Sequence, residues 1–239
     1  MPQSSADIGK ANYLKVAYDP STKPVTTTYP AHLAGYIVAR YGLKPGDTLL
    51  DLGCGRGEML QAFAQTGLSC QGLDQSPDAG SCSQGVPVAQ ADLTKDVYPF
   101  ANNSFDVVFL KSVIEHVWEP GHMLAEILRI LKPGGRAVIL TPDFSSCVRE
   151  FYEDPTHVRA YLVRSMRILL AMSGYADIEA ERFCHHERIW NSALGTFAAE
   201  VCWRVLPLSW ARWISQVTGT KFVRWACERQ ILATGAKPI

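Results

Sequence analysis

The chain has 239 residues, 47% of them apolar, and its 23 basic and 23 acidic side chains balance at neutral pH. This length is enough to bury a sizeable core within one domain. The balanced charge and the lack of a long basic run argue against a nucleic-acid partner.

The seven cysteines contain no Cys-x-x-Cys pair, which fits reduced thiols and argues against a zinc framework. The first ten residues are polar, and no apolar run reaches membrane-spanning length. We therefore expect a cytoplasmic protein.

A helix is predicted at 32–41 from its apolar spacing, and Lys44-Pro45-Gly46 interrupts it before a strand at 49–52. A glycine-rich turn follows this strand, with Gly53, Gly55 and Gly57 at alternate positions, and a helix is predicted at 58–65. Such a turn exposes bare backbone and free N–H groups to a ligand.

The charge of this turn narrows the choice of ligand. A dinucleotide fingerprint would have a third glycine at position 58, where this chain has Glu58. Asp51 and Glu58 would also repel a pyrophosphate. The turn favours a ligand with a cationic end, although a nucleotide turn of another kind remains an alternative.

Acidic residues follow the next two predicted strands. The strand at 69–73 ends at Asp74, where an acid can accept hydrogen bonds from both ribose hydroxyls of an adenosine. The strand at 86–89 is followed by Asp92 and Leu93. A turn and fourth strand at 102–110 then lead to the segment 112–117, Ser-Val-Ile-Glu-His-Val.

These four segments, in order across 49–117, resemble the motifs of class I S-adenosylmethionine-dependent methyltransferases. The resemblance implies S-adenosylmethionine as the cofactor, with its methionine part at the glycine turn. It also implies that the N-terminal segment covers the cofactor as a lid, the alternative being a helix that only packs on the sheet. The predicted cofactor contacts are Asp51, Gly53, Cys54, Gly55, Gly57, Asp74, Gln75, Asp92, Leu93 and Lys111.

The remaining elements complete an alternation of strands and helices. They are a helix at 120–131, a strand at 136–141, a helix at 163–172, and strands at 176–183 and 229–234. We predict an α/β fold with a Rossmann-like, doubly wound, seven-stranded mixed sheet. The resemblance implies that the last strand is antiparallel to its neighbour, which gives a reversed C-terminal hairpin.

The segment 151–161 is crowded with polar side chains and lies after the fifth predicted strand. Ligands in such folds lie beyond the carboxyl ends of the strands, so we expect acceptor contacts from Tyr152, Asp154, Arg159 and Tyr161. The alternative is a surface loop whose charged groups pair with one another.

Two histidines are candidate bases for an acceptor that must lose a proton, because histidine titrates near neutral pH. His116 follows the fourth strand and is the first candidate, and His157 is the second; catalysis by proximity alone is the alternative. Glu115 and His116 resemble a Glu-His pair of the ubiquinone-pathway O-methyltransferases. Their additional glutamate is replaced by Ser112, so we expect no essential metal.

The stretch 184–227 is too long for a hairpin turn and is predicted to be a helical insertion. It holds five of the six tryptophans, and Ser209 could cap a helix that carries Trp210 and Trp213 on one face. Its basic residues outnumber its acids, which favours peripheral contact with the inner membrane. The alternative is a cap over the same domain or a homodimer contact.

We expect one methyltransferase domain over 1–239. Its parts are an N-terminal lid or helix at 1–46, the cofactor-binding core at 47–183, the insertion at 184–227 and the last strand at 228–239. The expected reaction is methyl transfer to a small-molecule, saccharide or lipid-linked acceptor, with oxygen favoured. The alternatives are a non-catalytic S-adenosylmethionine-binding protein, or an N- or C-methyltransferase of a secondary metabolite; the fold does not choose among acceptors.

Overall fold

A computed structural model of the chain describes residues 28–184, 190, 192–206, 208–219 and 228–239. The predictions for 1–27 and for Trp225 lie outside these residues. The described strands are β1 Thr48–Leu52, β2 Ser69–Asp74, β3 Val88–Gln90, β4 Phe105–Lys111, β5 Leu131–Pro142, β6 Ala176–Cys184 and β7 Arg229–Ala236. The described α-helices are α1 Tyr29–Tyr41, α2 Glu58–Ala64, α3 Gly121–Ile130, α4 Val163–Met172, α5 Ala193–Val205 and α6 Leu208–Thr218.

The strands form one sheet in the order β3-β2-β1-β4-β5-β7-β6. The pairs among β1 to β5 are parallel, whereas β7 is antiparallel to both β5 and β6. The predicted mixed sheet and reversed hairpin are confirmed. The strand order reverses between β1 and β4, which is where ligands bind in open sheets of this kind.

Both faces of the sheet are covered, because alternate side chains of a buried strand point to opposite sides. Leu49 of β1 belongs to a core with Leu33 of α1 and Phe63 of α2. Leu50 belongs to the opposite core, with Leu124 of α3 and Met166 of α4. The rigid edge of this sheet positions the loops described below.

The structure corrects several predicted boundaries: α1 begins at Tyr29 rather than at His32, and β3 spans Val88–Gln90 rather than 86–89. β5 begins at Leu131 rather than at Arg136, because Leu131 already pairs with Phe105 before the register shifts. The insertion begins after Cys184, since that residue pairs with Arg229 in the final hairpin. Ser209 does not cap α6, because the helix begins one residue before it.

Candidate cofactor and acceptor site

The glycine turn lies at the carboxyl end of β1, beside the point where the strand order reverses. Gly53 and Gly57 have φ angles of +71° and +90°, which side-chain-bearing residues rarely adopt. A Cβ atom at Gly53 would lie 2.4 Å from Cγ2 of Val113. The turn therefore presents backbone where there is no room for a side chain.

Asp51 places a buried carboxyl group directly before this turn. The residue is 3% exposed, and its Oδ2 has no hydrogen-bond partner within the described residues. Burial, together with the charge of Asp74, raises the pKa of Asp51 to about 7, while Lys111 opposes the rise. A buried carboxyl oxygen that lacks a donor fits the ammonium group of an amino-acid ligand.

Asp74 ties the end of β2 to the turn. Its Oδ2 accepts a hydrogen bond from the backbone N–H of Gly55 at 2.8 Å, and its Oδ1 accepts from that of Ser76 at 2.8 Å. An ionised carboxylate offers about four lone-pair positions, so both oxygens can accept further bonds from ribose hydroxyls.

The other predicted cofactor contacts surround the same edge of the sheet. Asp92 follows β3, and its Oδ1 accepts from the backbone N–H and the hydroxyl of Thr94 at 2.9 and 2.6 Å. The carbonyl of Leu93 accepts from the Tyr98 hydroxyl at 3.0 Å. Lys111 ends β4, with Nζ 5.8 Å from the ring centre of Tyr29. Gln75 directly follows β2, and Cys54 lies two residues after the end of β1.

The two candidate bases lie together, with 4.8 Å between the ring centres of His116 and His157. Nδ1 of His116 is 2.9 Å from the Thr156 hydroxyl, which donates its own proton to Asp154 Oδ1. The hydroxyl must therefore accept from His116, which places the imidazole proton on Nδ1 and leaves Nε2 as the basic nitrogen. In His157, Nδ1 donates to the Phe151 carbonyl at 2.6 Å, so Nε2 is the basic nitrogen of that ring as well.

These contacts give His116 the properties of a base. Burial, together with the neighbouring His157, lowers the pKa of His116, so its ring is neutral at neutral pH. Although burial raises the pKa of Asp154, hydrogen bonds from Thr156 outweigh it and lower that pKa overall. Asp154, a predicted acceptor contact, thus orients His116 through Thr156.

Glu115 is a buried acid for which the sequence predicted no role, since no essential metal was expected there. Its side chain is completely buried, Oε2 accepts from the Thr141 hydroxyl at 2.9 Å, and Oε1 has no partner within the described residues. Burial raises its pKa to about 7. Its backbone carbonyl accepts from Val158 and Arg159, which fastens the 151–161 loop to the end of β4. The sequence signal for this buried role is an acid that directly follows the apolar residues Val113 and Ile114.

Glu115, His116 and His157 also bring three metal-ligating atoms within 4.8 Å of one another. The expectation of no essential metal rested on Ser112 and did not consider His157 as a third donor. Two histidines and one carboxylate suit several divalent transition metals. The absence of an essential metal stays a prediction.

The remaining predicted acceptor residues lie in different environments. Tyr152 is 60% exposed, and Nη1 of Arg159 donates to the Trp118 carbonyl at 2.9 Å. Tyr161 is buried, its hydroxyl has no hydrogen-bond partner in the described parts of the chain, and burial raises its pKa.

The insertion exposes apolar side chains on both of its described helices. They are Leu194, Phe197, Val201 and Val205 of α5, and Trp210, Trp213 and Val217 of α6. By contrast, Trp190 stacks on Phe183 at 5.2 Å, and the Trp203 ring lies 4.7 Å from the Arg182 guanidinium. Within the described residues, no helix has the length and apolarity that crossing a bilayer requires.

Comparisons with known proteins agree with this geometry. Residues 50–139 match the family model described as a methyltransferase domain. An uncharacterized methyltransferase of Mycobacterium marinum is 36% identical over 108 residues, which cover 44% of this chain and 42% of that protein. The chain therefore spans less than half the length of the curated relatives that it matches.

Two solved structures show the shared fold. A Haloferax volcanii methyltransferase, solved in complex with the Trm112 methyltransferase activator, has a TM-score of 0.66 and 20% identity over 100% of both chains. Phosphoethanolamine N-methyltransferase 2 of Haemonchus contortus, with S-adenosyl-L-methionine, has a TM-score of 0.59 and 23% identity over 87% of this chain and 52% of that one. Residues 50–139 therefore match a methyltransferase domain, and the seven-stranded sheet has the fold of these solved methyltransferases.

Proposed function

We propose that this protein transfers a methyl group from S-adenosylmethionine to a hydroxyl group of a small-molecule, saccharide or lipid-linked acceptor. The observation that carries the proposal is the buried Asp51 carboxyl, whose Oδ2 has no donor among the described residues and which borders a turn with no room for a side chain at Gly53. When bound, S-adenosylmethionine supplies an electrophilic methyl group on a sulfonium.

The residues around the turn fit this cofactor. Asp51 would bind the ammonium group, the glycine backbone would contact the methionine part, and Asp74 would accept from the ribose hydroxyls. Asp92 and Leu93 would border the adenine, while Cys54, Gln75 and Lys111 complete the surroundings. The N-terminal part of α1 would border the same site, because Tyr29 lies beside Lys111. We propose that 1–46 forms an N-terminal lid or helix and that 47–184 forms the cofactor-binding core.

His116 is the proposed base. Its Nε2 would accept the hydroxyl proton of the acceptor, while Thr156 and Asp154 hold the ring in the tautomer that this step requires. His157 is the second candidate, since its Nδ1 is also fixed by a carbonyl. Tyr152, Arg159 and Tyr161 would border the acceptor, and most of the rate enhancement would come from holding it in line.

Calorimetry with S-adenosylmethionine tests the cofactor assignment. We expect saturable binding that Asp74→Asn weakens by tenfold or more, because two charge-assisted hydrogen bonds to the ribose are lost. Asp177→Asn is the matched control, since Asp177 is exposed on β6 at the far edge of the sheet. Saturable binding of NADH, or equal affinities of the two variants, would disprove the assignment.

Turnover tests the reaction. Incubation with methyl-labelled cofactor and cell extract, followed by separation into lipid and aqueous phases, should label an acceptor in one phase. Treatment of the labelled product with base then identifies the linkage, because base releases the methyl group of an ester but not that of an ether or an amine. Tight cofactor binding without labelling in either phase would instead favour a non-catalytic binding protein.

A further inference from the structure

A cavity of about 190 Å³ lies where α6 of the insertion meets the carboxyl edge of the sheet. Among its lining residues are His157 and Phe151 of the 151–161 loop, Arg212 of α6, and Arg229 and Gln230 of β7. None of the ten predicted cofactor contacts lines this cavity. His157, the second candidate base, therefore borders a compartment that shares no lining residue with the glycine turn.

Arg229 is held rigidly at this cavity. It begins β7, pairs with Cys184 of β6, and is 6% exposed. Its Nη1 lies 3.2 Å from Glu200 Oε2 on α5, and its guanidinium carbon lies 5.7 Å from the centre of the Trp203 ring. An ion pair and an aromatic face thus fix one side of the guanidinium.

The other side of the guanidinium has no hydrogen-bond partner among the residues that the structure describes. Nε and Nη2 of Arg229 are buried and lack a hydrogen-bond acceptor among the described residues, as does Nε of Arg212. Gln230 Oε1 lacks a donor in the same way. Four of the nine such atoms in the described structure thus belong to residues that line one cavity.

The geometry of these atoms selects the ligand. Nε and Nη2 form one edge of the guanidinium, and this edge donates two parallel hydrogen bonds to a carboxylate or phosphate. Buried donors without an acceptor are unfavourable, so a ligand that supplies two oxygens would be bound favourably. Glu150 and Glu228 also line the cavity, which disfavours a polyanion and favours one compact anionic group.

We propose that this cavity binds an anionic group of the methyl acceptor, a carboxylate or a phosphate, through the Nε–Nη2 edge of Arg229. The proposal rests on the methyltransferase function proposed above and specifies its acceptor class. Since His157 lines the same cavity and lies beside His116, the hydroxyl to be methylated is on the same molecule, near its anionic group.

Binding of small probes tests this proposal without a known acceptor. The protein, saturated with S-adenosylhomocysteine, is titrated with benzoate, phenyl phosphate and neutral benzamide. We expect millimolar binding of at least one anion and none of benzamide; the stronger anion identifies the group. Arg229→Gln should weaken anion binding by about tenfold or more, because it removes a buried, charged donor pair. Arg164→Gln, an exposed arginine on α4, should leave it unchanged.

Two further variants guard against misfolding. Arg229→Lys keeps the charge but lacks the paired Nε and Nη2 donors, and Arg212→Gln removes the other cation at the cavity. Both variants should also weaken anion binding. Affinity for S-adenosylhomocysteine reports folding and tests the proposed function separately, because the two sites do not share residues. Absence of anion binding, or equal binding by the well-folded Arg229 and Arg212 variants and the wild type, would overturn the proposal.

Discussion

At the scale of single residues, the site keeps two carboxyl groups, Asp51 and Glu115, in places where water cannot reach them. Each has one oxygen without a partner in the described structure, and burial raises each pKa to about 7. A buried carboxyl oxygen without a partner lowers the free energy of unfolding, so these two groups fit a role in ligand binding rather than in stability.

This arrangement predicts a pH dependence of stability. Because the folded protein holds these two protons more tightly than the unfolded chain, with ordinary pKa values of 3.8 and 4.5, the stability that the two groups contribute should fall as pH rises from about 4 to about 7. Urea denaturation across this range should show a smaller fall for Asp51→Asn than for the wild type. Asp177→Asn is the control, and an unchanged fall in Asp51→Asn would contradict the prediction.

Gly53 offers a second prediction. Gly53→Ala must accommodate both a φ of +71° and a Cβ atom 2.4 Å from Val113. Gly46→Ala has a similar φ of +92° but open space around the new atom. We expect Gly53→Ala to be less stable than Gly46→Ala by about 1–3 kcal/mol and to bind S-adenosylmethionine more weakly. Equal stabilities of the two variants in chemical denaturation would show that the Val113 side chain moves away from the new Cβ atom at no cost in stability.

The histidine pair supports a kinetic prediction. His116→Ala should lower turnover at saturating cofactor by about a hundredfold or more, because general bases contribute at least that much. Since burial lowers the pKa of His116, activity should persist below pH 6.5, where an ordinary histidine is half protonated. His122→Ala, outside the pair, is the control. A fall below tenfold for both His116→Ala and His157→Ala would exclude a histidine base.

A chelator separates this role from metal binding. Treatment with EDTA should leave the activity unchanged if His116 acts as a base. Loss of activity that a divalent ion restores would show that Glu115, His116 and His157 are ligands instead.

At the scale of secondary structure, elements with clear periodicity were predictable. The bounds of α4 were predicted as observed, because its apolar spacing is local information. The start of β5 was not, because the pairing of Leu131 with Phe105 depends on a neighbouring strand. The predicted cap of α6 was wrong for a different reason. Sequence alone does not fix a helix start to within one or two residues, and α6 begins at Leu208, before Ser209.

The exposed face of α6 predicts a surface interaction. Trp210 and Trp213 are 63% and 62% exposed, so neither is buried by its own domain in the described structure. We propose that they enter the headgroup region of a membrane, as interfacial aromatic residues do. The described arginines contribute less than the sequence suggested, because Arg204 pairs with Glu200 and Arg212 pairs with Glu153.

Flotation on anionic vesicles tests this face. The wild type should float with the vesicles, and Trp210→Ser combined with Trp213→Ser should remain in the soluble fraction. Trp118→Ser is the control, because Trp118 is 68% exposed but lies outside the insertion. A wild type that stays soluble, with a concentration-dependent mass in ultracentrifugation, would identify a dimer contact instead.

At the scale of the whole molecule, the site joins residues that are far apart in the chain. Sequence motifs located the glycine turn and the acids that follow the strands, because both signals are short and local. The contact between His116 and His157 and the position of Arg229 at a cavity arise only when the sheet brings loops together. Local patterns do not encode such contacts.

The architecture predicts that the insertion can be removed without loss of the cofactor site. Cys184 and Arg229 are paired neighbours at the end of the final hairpin, so a short Asn-Gly turn can replace 185–228. We expect the shortened protein to bind S-adenosylmethionine within a few-fold of the wild type but to lose the anionic probes.

The replacement also removes Trp190, which packs on Tyr36 and Phe183. Because this ring is only partly buried, its loss should lower the free energy of unfolding by about 1–3 kcal/mol. Trp190→Ala in the full chain is therefore the matched control for stability. Calorimetry then distinguishes the two compartments. If cofactor binding is retained and anion binding is lost, the insertion forms part of the acceptor site. Loss of cofactor binding in the shortened protein but not in Trp190→Ala would mean that the insertion supports the glycine turn itself.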